Sequence, residues 1–186
     1  MEENIMDYRG KNRGIEGKLK YLAYGELTAV VLFWIIYVQK FFWKIDSESS
    51  KFIIFSMYPL LLLTIILLQG SFYWNNCLKR VQKKAHISRV RIGKIYHKLK
   101  WLNWILIIAY IPVFILKNSD IETLDIIGSA LLYIFAILEQ FNYFHVRLSY
   151  ESKVFGFQIK KPIKQIITGT TRKSQIAKDI LLYLRN

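Results

Sequence analysis

Residues 52–74 read FIIFSMYPLLLLTIILLQGSFYW, a run without a single charged side chain. At about 1.5 Å of rise per residue, a helix of this length crosses a hydrocarbon core of about 30 Å. A soluble core helix so long would carry a polar face, and this one carries little of one. Three further apolar runs flank it, at roughly 21–43, 99–116 and 121–145. The sequence therefore predicts an all-α integral membrane protein: a four-transmembrane-helix bundle in one domain over residues 1–186.

The composition fits only a chain that separates its residue classes. Hydrophobic residues make up 53%, yet the net charge is +14. No Asp or Glu occurs between Glu48 and Asp120, a span holding two apolar runs and one basic run. The abundance of Ile, Lys, Asn, Tyr and Phe is what an AT-rich, bacterial genome produces. The apolar run at 21–43 is longer than the core of a secretory signal and has no small-residue cleavage site after it, so it reads as a retained helix.

Charge sets the expected orientation. Of 27 Lys and Arg residues, 23 fall in the arm 1–20, the segment 77–100 and the tail 147–186. The links 44–51 and 117–122, with the residues flanking them, hold the other four, Lys40, Lys44, Lys51 and Lys117. Cytoplasmic loops are the ones enriched in Lys and Arg. Both termini and the basic loop are thus expected in the cytoplasm of a cell-membrane, multi-pass protein. Short outer links imply two antiparallel helix hairpins, 1 with 2 and 3 with 4. The rings of Tyr21, Tyr24, Tyr73, Trp74, Trp101, Trp104 and Tyr143 are expected at the inner headgroup level, where an apolar body and a polar tip are both satisfied. Pro59 and Pro112 each remove an intrahelical hydrogen bond in the outer half, where a paired bend is expected.

Outside the runs, the arm 1–20 holds Gly10, Gly14 and Gly17 and reads as a loose segment. Residues 77–100 read as a basic hairpin or two helical extensions, with Gly93 marking a bend. Its cations, Lys79, Arg80, Lys83, Lys84, Arg89, Arg91, Lys94, Lys98 and Lys100, are candidates for anionic lipid headgroups, at about 1 kcal/mol each close to the surface. Nucleic acid is the other usual partner of such a run; tethering to a membrane on both sides disfavours it. In the tail, Val154–Ile159 alternates like an extended piece. Thr171–Arg185 reads as an amphipathic helix with Ile176, Ala177, Ile180, Leu181 and Leu184 on one face. Such a helix docks on the bundle, lies on the membrane or meets a partner.

The intramembrane polar residues cluster toward the basic side. Gln69 and Glu139 each lie about 10 Å deep by helix rise. On the fourth helix Glu139, Asn142 and His145 are three apart, sweeping an arc of about 120° with Tyr143 beside it. Buried carboxylates in lipid face the bundle interior or a wet cavity. Glu139, Asn142, Tyr143, His145, Gln69 and Glu26 are the candidate polar pocket, with Glu139 as proton- or cation-binding group. The plainer alternative is a neutral Glu139 hydrogen-bonded to Gln69, joining two helices. A Glu in the first of four helices resembles the small multidrug exporters, but those chains are shorter and Glu26 lies outside the centre of its helix.

No catalytic residue, metal site or cofactor is expected. A Glu-x-x-His metal motif needs a spacing of three, whereas Glu139 and His145 are six apart. No nucleophile elbow, phosphate-binding glycine loop or paired Cys occurs. Cys77 alone forms no intrachain disulfide; its place at the inner surface makes it an acylation candidate. The function expected first is an accessory, regulatory or protective membrane protein that binds anionic lipid, a membrane protein partner or further copies of itself as a homo-oligomer. A small oligomeric transporter or proton-coupled carrier using Glu139 comes second. A lipid-headgroup enzyme with Glu139 and His145 as acid and base comes third.

Overall fold

A computed structural model describes residues 2–42, 49–115, 123–145 and 173–185, with side chains described at 14–39, 55–115, 123, 125–145 and 173–185. Every element within them is a helix: α1 (Glu2–Phe42), α2 (Ser49–Val81), α3 (Arg89–Ile115), α4 (Thr123–Phe144) and α5 (Gln175–Arg185). Four contain segments long and apolar enough to cross a membrane, Gly14–Gln39, Phe55–Val81, Arg89–Ile115 and Asp125–Phe144. Most of the link 44–51, the link 117–122 and the piece Val154–Ile159 lie outside the described residues.

Cross-helix bonds show that the first four helices alternate in direction. Between α1 and α2, Ser71 Oγ donates to the Ala23 carbonyl (2.8 Å) and Trp34 Nε1 to Thr64 Oγ1 (3.0 Å). Between α2 and α3, Tyr110 Oη donates to the Phe55 carbonyl (2.9 Å), and Tyr96 Oη to the Gln69 carbonyl. Tyr133 Oη on α4 donates to the Ile107 carbonyl of α3 (2.8 Å). α2 is the hub: α1, α3 and α4 all pack on it. Its Leu62, Leu63, Ile66, Leu67 and Tyr73 join Ile92, Tyr96, Ile107, Ala136 and Tyr143 in the core. The most lipid-like run is therefore the most enclosed. On α1, by contrast, Val31, Leu32, Ile35 and Ile36 remain exposed.

Several expectations about the basic end are corrected. The arm is not loose, because α1 begins at Glu2 and runs through Gly10, Gly14 and Gly17. Extending a formed helix adds a hydrogen bond per residue without a new nucleus, which offsets a glycine's cost of about 1 kcal/mol. Tyr73 and Tyr143 are buried core residues, so neither belongs to an aromatic belt. Toward the opposite end, Pro59 and Pro112 both lie inside their helices, and a bend at each is compatible with the unbroken α2 and α3.

The basic segment is two helical extensions joined by a tight turn. α2 closes with Lys84 N–H on the Lys79 carbonyl (2.9 Å) and Lys83 N–H on the Arg80 carbonyl (3.1 Å). This is a Schellman closure with Lys83 at φ 56°, a left-handed position usually given to glycine. Asn76 ties the turn by exchanging two bonds with the Ile87 backbone (2.8 and 3.1 Å). Ser88 caps α3, its Oγ accepting from Arg91 N–H (3.4 Å).

α5 docks on the bundle. Ser174 caps it, accepting from Ala177 N–H (3.0 Å) and donating to the Tyr143 carbonyl at the end of α4. Gly93 does not bend α3. A Cβ there would run into the Asp179 carbonyl, so the missing side chain is what lets α5 approach.

Candidate functional site

The polar residues inside the bundle separate into two groups with different chemistry. The first is an amide knot among α2, α3 and α4. Gln69 Nε2 donates to Asn103 Oδ1 (3.0 Å), and Asn103 Nδ2 donates to Gln69 Oε1 (2.8 Å) and Gln140 Oε1 (2.9 Å). Gln140 Nε2 closes the set on the Lys100 carbonyl (3.2 Å). Asn103 and Gln140 are fully buried. Every side-chain acceptor in the knot is engaged, as burial without water demands. The expected pairing of Gln69 with Glu139 does not occur. One residue turns the helix by about 100°, so Gln140 faces α2 and α3 while Glu139 faces away from them.

The second group lies between α1 and α4. The Tyr143 ring fills the space left by Gly70: a Cβ on Gly70 would lie 2.6 Å from its Cζ and Oη. The hydroxyl is buried, and no described group accepts its proton at ordinary hydrogen-bond geometry. Its polar neighbours are the carboxyls of Glu26 on α1 and Glu139 on α4. Asn142 Nδ2 donates to Glu139 Oε2 (3.1 Å) one turn further along α4. Two carboxyls from different helices thus flank one phenol. Such a group can share a proton or hold a small cation, since carboxylates and a phenol oxygen are hard donors. Among the described residues no three His, Cys, Asp or Glu side chains are grouped as a metal site.

Of the six pocket candidates, Glu26, Glu139, Asn142 and Tyr143 come together, while Gln69 belongs to the amide knot. His145 is a further correction. Its ring packs on Phe141 (centroids 5.2 Å apart) and Trp104 (6.2 Å), away from the carboxyls. It lies just past the fourth apolar segment, where burial and then Lys100 lower its pKa from the usual imidazole value and favour the neutral ring.

At the basic end, Lys79, Lys83, Lys84, Arg91, Lys94 and Lys98 are exposed around the α2–α3 turn. Two other lipid candidates serve the fold. Arg80 Nη2 donates to Cys77 Sγ (3.1 Å), and Cys77 is buried rather than presented for acylation. Arg89 donates through Nε (2.8 Å) and Nη2 (2.6 Å) to Asp179 Oδ1, whose Oδ2 accepts from Tyr73 Oη (2.7 Å). Lys100 is half-buried beside the knot. The sequence reading missed Asp179. Its signal was present: one carboxylate between Ile176 and Ile180 on the apolar face of a helix needs a buried partner.

Comparison with protein-family models, curated proteins and solved structures finds no match to this chain.

Proposed function

We propose that this chain is a non-enzymatic membrane protein of accessory, regulatory or protective type that holds anionic lipid headgroups against its basic end. The observation that carries this reading is the ring of exposed cations, Lys79, Lys83, Lys84, Arg91, Lys94 and Lys98, around the α2–α3 turn. The one acid on the facing side of α5, Asp179, is buried against Arg89 and does not offset them. By the same charge bias, the basic end and both termini face the cytoplasm of a bacterial cell membrane. The test is native mass spectrometry of protein released from vesicles of phosphatidylcholine and phosphatidylglycerol. Retained phosphatidylglycerol is expected to fall about fivefold for each Lys or Arg changed to Gln, matching about 1 kcal/mol per cation. Equal retention of both lipids by the unaltered chain refutes the reading. Orientation is tested separately with a cysteine placed at Lys84, labelled by an impermeant maleimide only after permeabilisation.

A second reading rests on the Glu26–Tyr143–Glu139 group. Two carboxyls around a buried phenol are the equipment of a proton- or cation-coupled carrier. Proton-dependent flux in proteoliposomes that vanishes in Glu139→Gln is the expected result. Flux unchanged by that substitution removes this reading and leaves the first untouched.

A further inference from the structure

The two seam carboxyls have no counter-charge in the spanning helices. No Lys or Arg occurs at 21–39, 52–78, 101–116 or 118–146, which hold the apolar cores of all four. Apart from each other, the polar neighbours of Glu26 and Glu139 are neutral: Tyr143 beside both, and Asn142 donating to Glu139. A carboxylate accepts up to about four hydrogen bonds, so these neighbours leave it room for more. Both acids are half-buried rather than enclosed. α1 and α4 pack on α2 but scarcely on each other, so the seam between them reaches the outer surface of the bundle.

Further along the same seam, away from the basic turn, a cavity of about 340 Å³ opens among Phe33, Ile36 and Tyr37 of α1 and Gly128, Leu132 and Phe135 of α4. Ile36 and Phe135 are 60% and 46% exposed, so this cavity opens sideways. Its register against the acids is the same on both helices. Phe33 and Tyr37 follow Glu26 by seven and eleven residues, and Leu132 and Gly128 precede Glu139 by seven and eleven. Either step returns a helix to within about 20° of the same face, after a rise of about 10 or 16 Å. Acids and cavity therefore lie along one groove. A Cβ on Gly25, beside Glu26, would meet nothing within 4 Å, and Ala29 stands one turn on. Small residues so placed let a second backbone come close.

We propose that a transmembrane helix of a different protein occupies this groove. A Lys or Arg on it donates to Glu26 and Glu139, and a bulky apolar side chain seven or eleven residues along enters the cavity. A second copy of this chain does not fit, because its spanning helices have no cation to offer. A lipid chain fills the cavity and leaves the carboxyls unpaired at membrane depth. The inference rests on the accessory reading and names the chemistry of the protein it serves.

The full chain in phosphatidylcholine nanodiscs is mixed with synthetic transmembrane peptides, and affinity is read by energy transfer between a donor on the chain and an acceptor on the peptide. The first peptide is a Leu helix with Ala along one face, where it carries one Arg and, eleven residues on, one Phe. Others replace the Arg by Leu or Glu, or move the Phe to nine residues, on the opposite face. The Arg peptide is expected to bind about tenfold more tightly than the Leu peptide, the scale of a charged hydrogen bond. The displaced Phe should weaken it, and the Glu peptide should show no saturable transfer. The net charge of +14 makes the comparison decisive, because non-specific attraction favours the Glu peptide. Glu26→Gln with Glu139→Gln should bring the Arg peptide down to the Leu peptide. Should that variant fail to fold, the four peptides on the unaltered chain carry the test. Equal binding of the peptides, no binding, self-association that excludes them all, or an Arg preference that survives the double substitution overturns the proposal. No anionic lipid is present, so each of those results leaves the headgroup reading standing.

Discussion

The two sides of α2 treat buried polarity in opposite ways. Toward α3 and α4, Gln69, Asn103 and Gln140 bind one another and a backbone carbonyl, and the helices close around them. Toward the α1–α4 seam, the buried Tyr143 hydroxyl stands between the carboxyls of Glu26 and Glu139, two acids on different helices. A share of 61% of the apolar window of α2 is buried, against 6% for α1. The difference separates roles: amides that satisfy one another fix helix rotation, whereas the carboxyls of the seam are the groups on which the proposed proton- or cation-coupled reading rests.

The largest break of this contrast is Asn103→Leu. It leaves the amides of Gln69 and Gln140 facing each other without their shared partner, at about 1–3 kcal/mol for each orphaned group. Chemical unfolding in mild detergent should show a loss of about 4 kcal/mol, against about 1 kcal/mol for Glu139→Gln in the seam. Equal losses would erase the distinction between the two sides.

Gly93→Ala comes next. The added methyl meets the Asp179 carbonyl, so α5 must move away and weaken the bonds to Arg89 and Tyr73. A loss of about 3 kcal/mol, within the range for overpacking, is expected together with faster proteolysis of the tail. Arg89 is 46% exposed, so solvent screens its half of the ion pair and the steric clash dominates. Gly70→Ala probes the seam in the same manner. Its methyl meets the Tyr143 ring, and displacement of the phenol from Glu26 and Glu139 should cost about 2 kcal/mol and reduce any Glu139-dependent flux.

The smallest effect has the opposite sign. Lys83→Gly relieves a left-handed backbone position, and the turn should gain up to about 1 kcal/mol after the added freedom of the unfolded chain is counted. Amide exchange at Ile87 is the local readout, because Asn76 holds that residue's N–H.

How much of this was legible follows from what each feature depends on. The four apolar runs and the basic collar are one-dimensional facts, since length and charge decide whether a segment suits a hydrocarbon core. The amphipathic tail helix was readable from its spacing, and it forms over Gln175–Arg185. The polar group on α4 was half legible. The spacing of Glu139, Asn142 and Tyr143 placed them on one side, but the choice between Glu139 and Gln140 for Gln69 depends on helix rotation, which hydropathy does not encode.

By itself, then, the sequence determined the helix class, the number of long apolar segments and the end that carries the positive charge, because these arise from composition summed over a segment. Only the tertiary structure decided that the most apolar run is the hub, that Gly70 and Gly93 are places of close approach, that Arg89 belongs to Asp179, and that the acids line a seam. Each of those rests on which side chains share one point in space, and one residue of rotation, about 100°, is enough to exchange them.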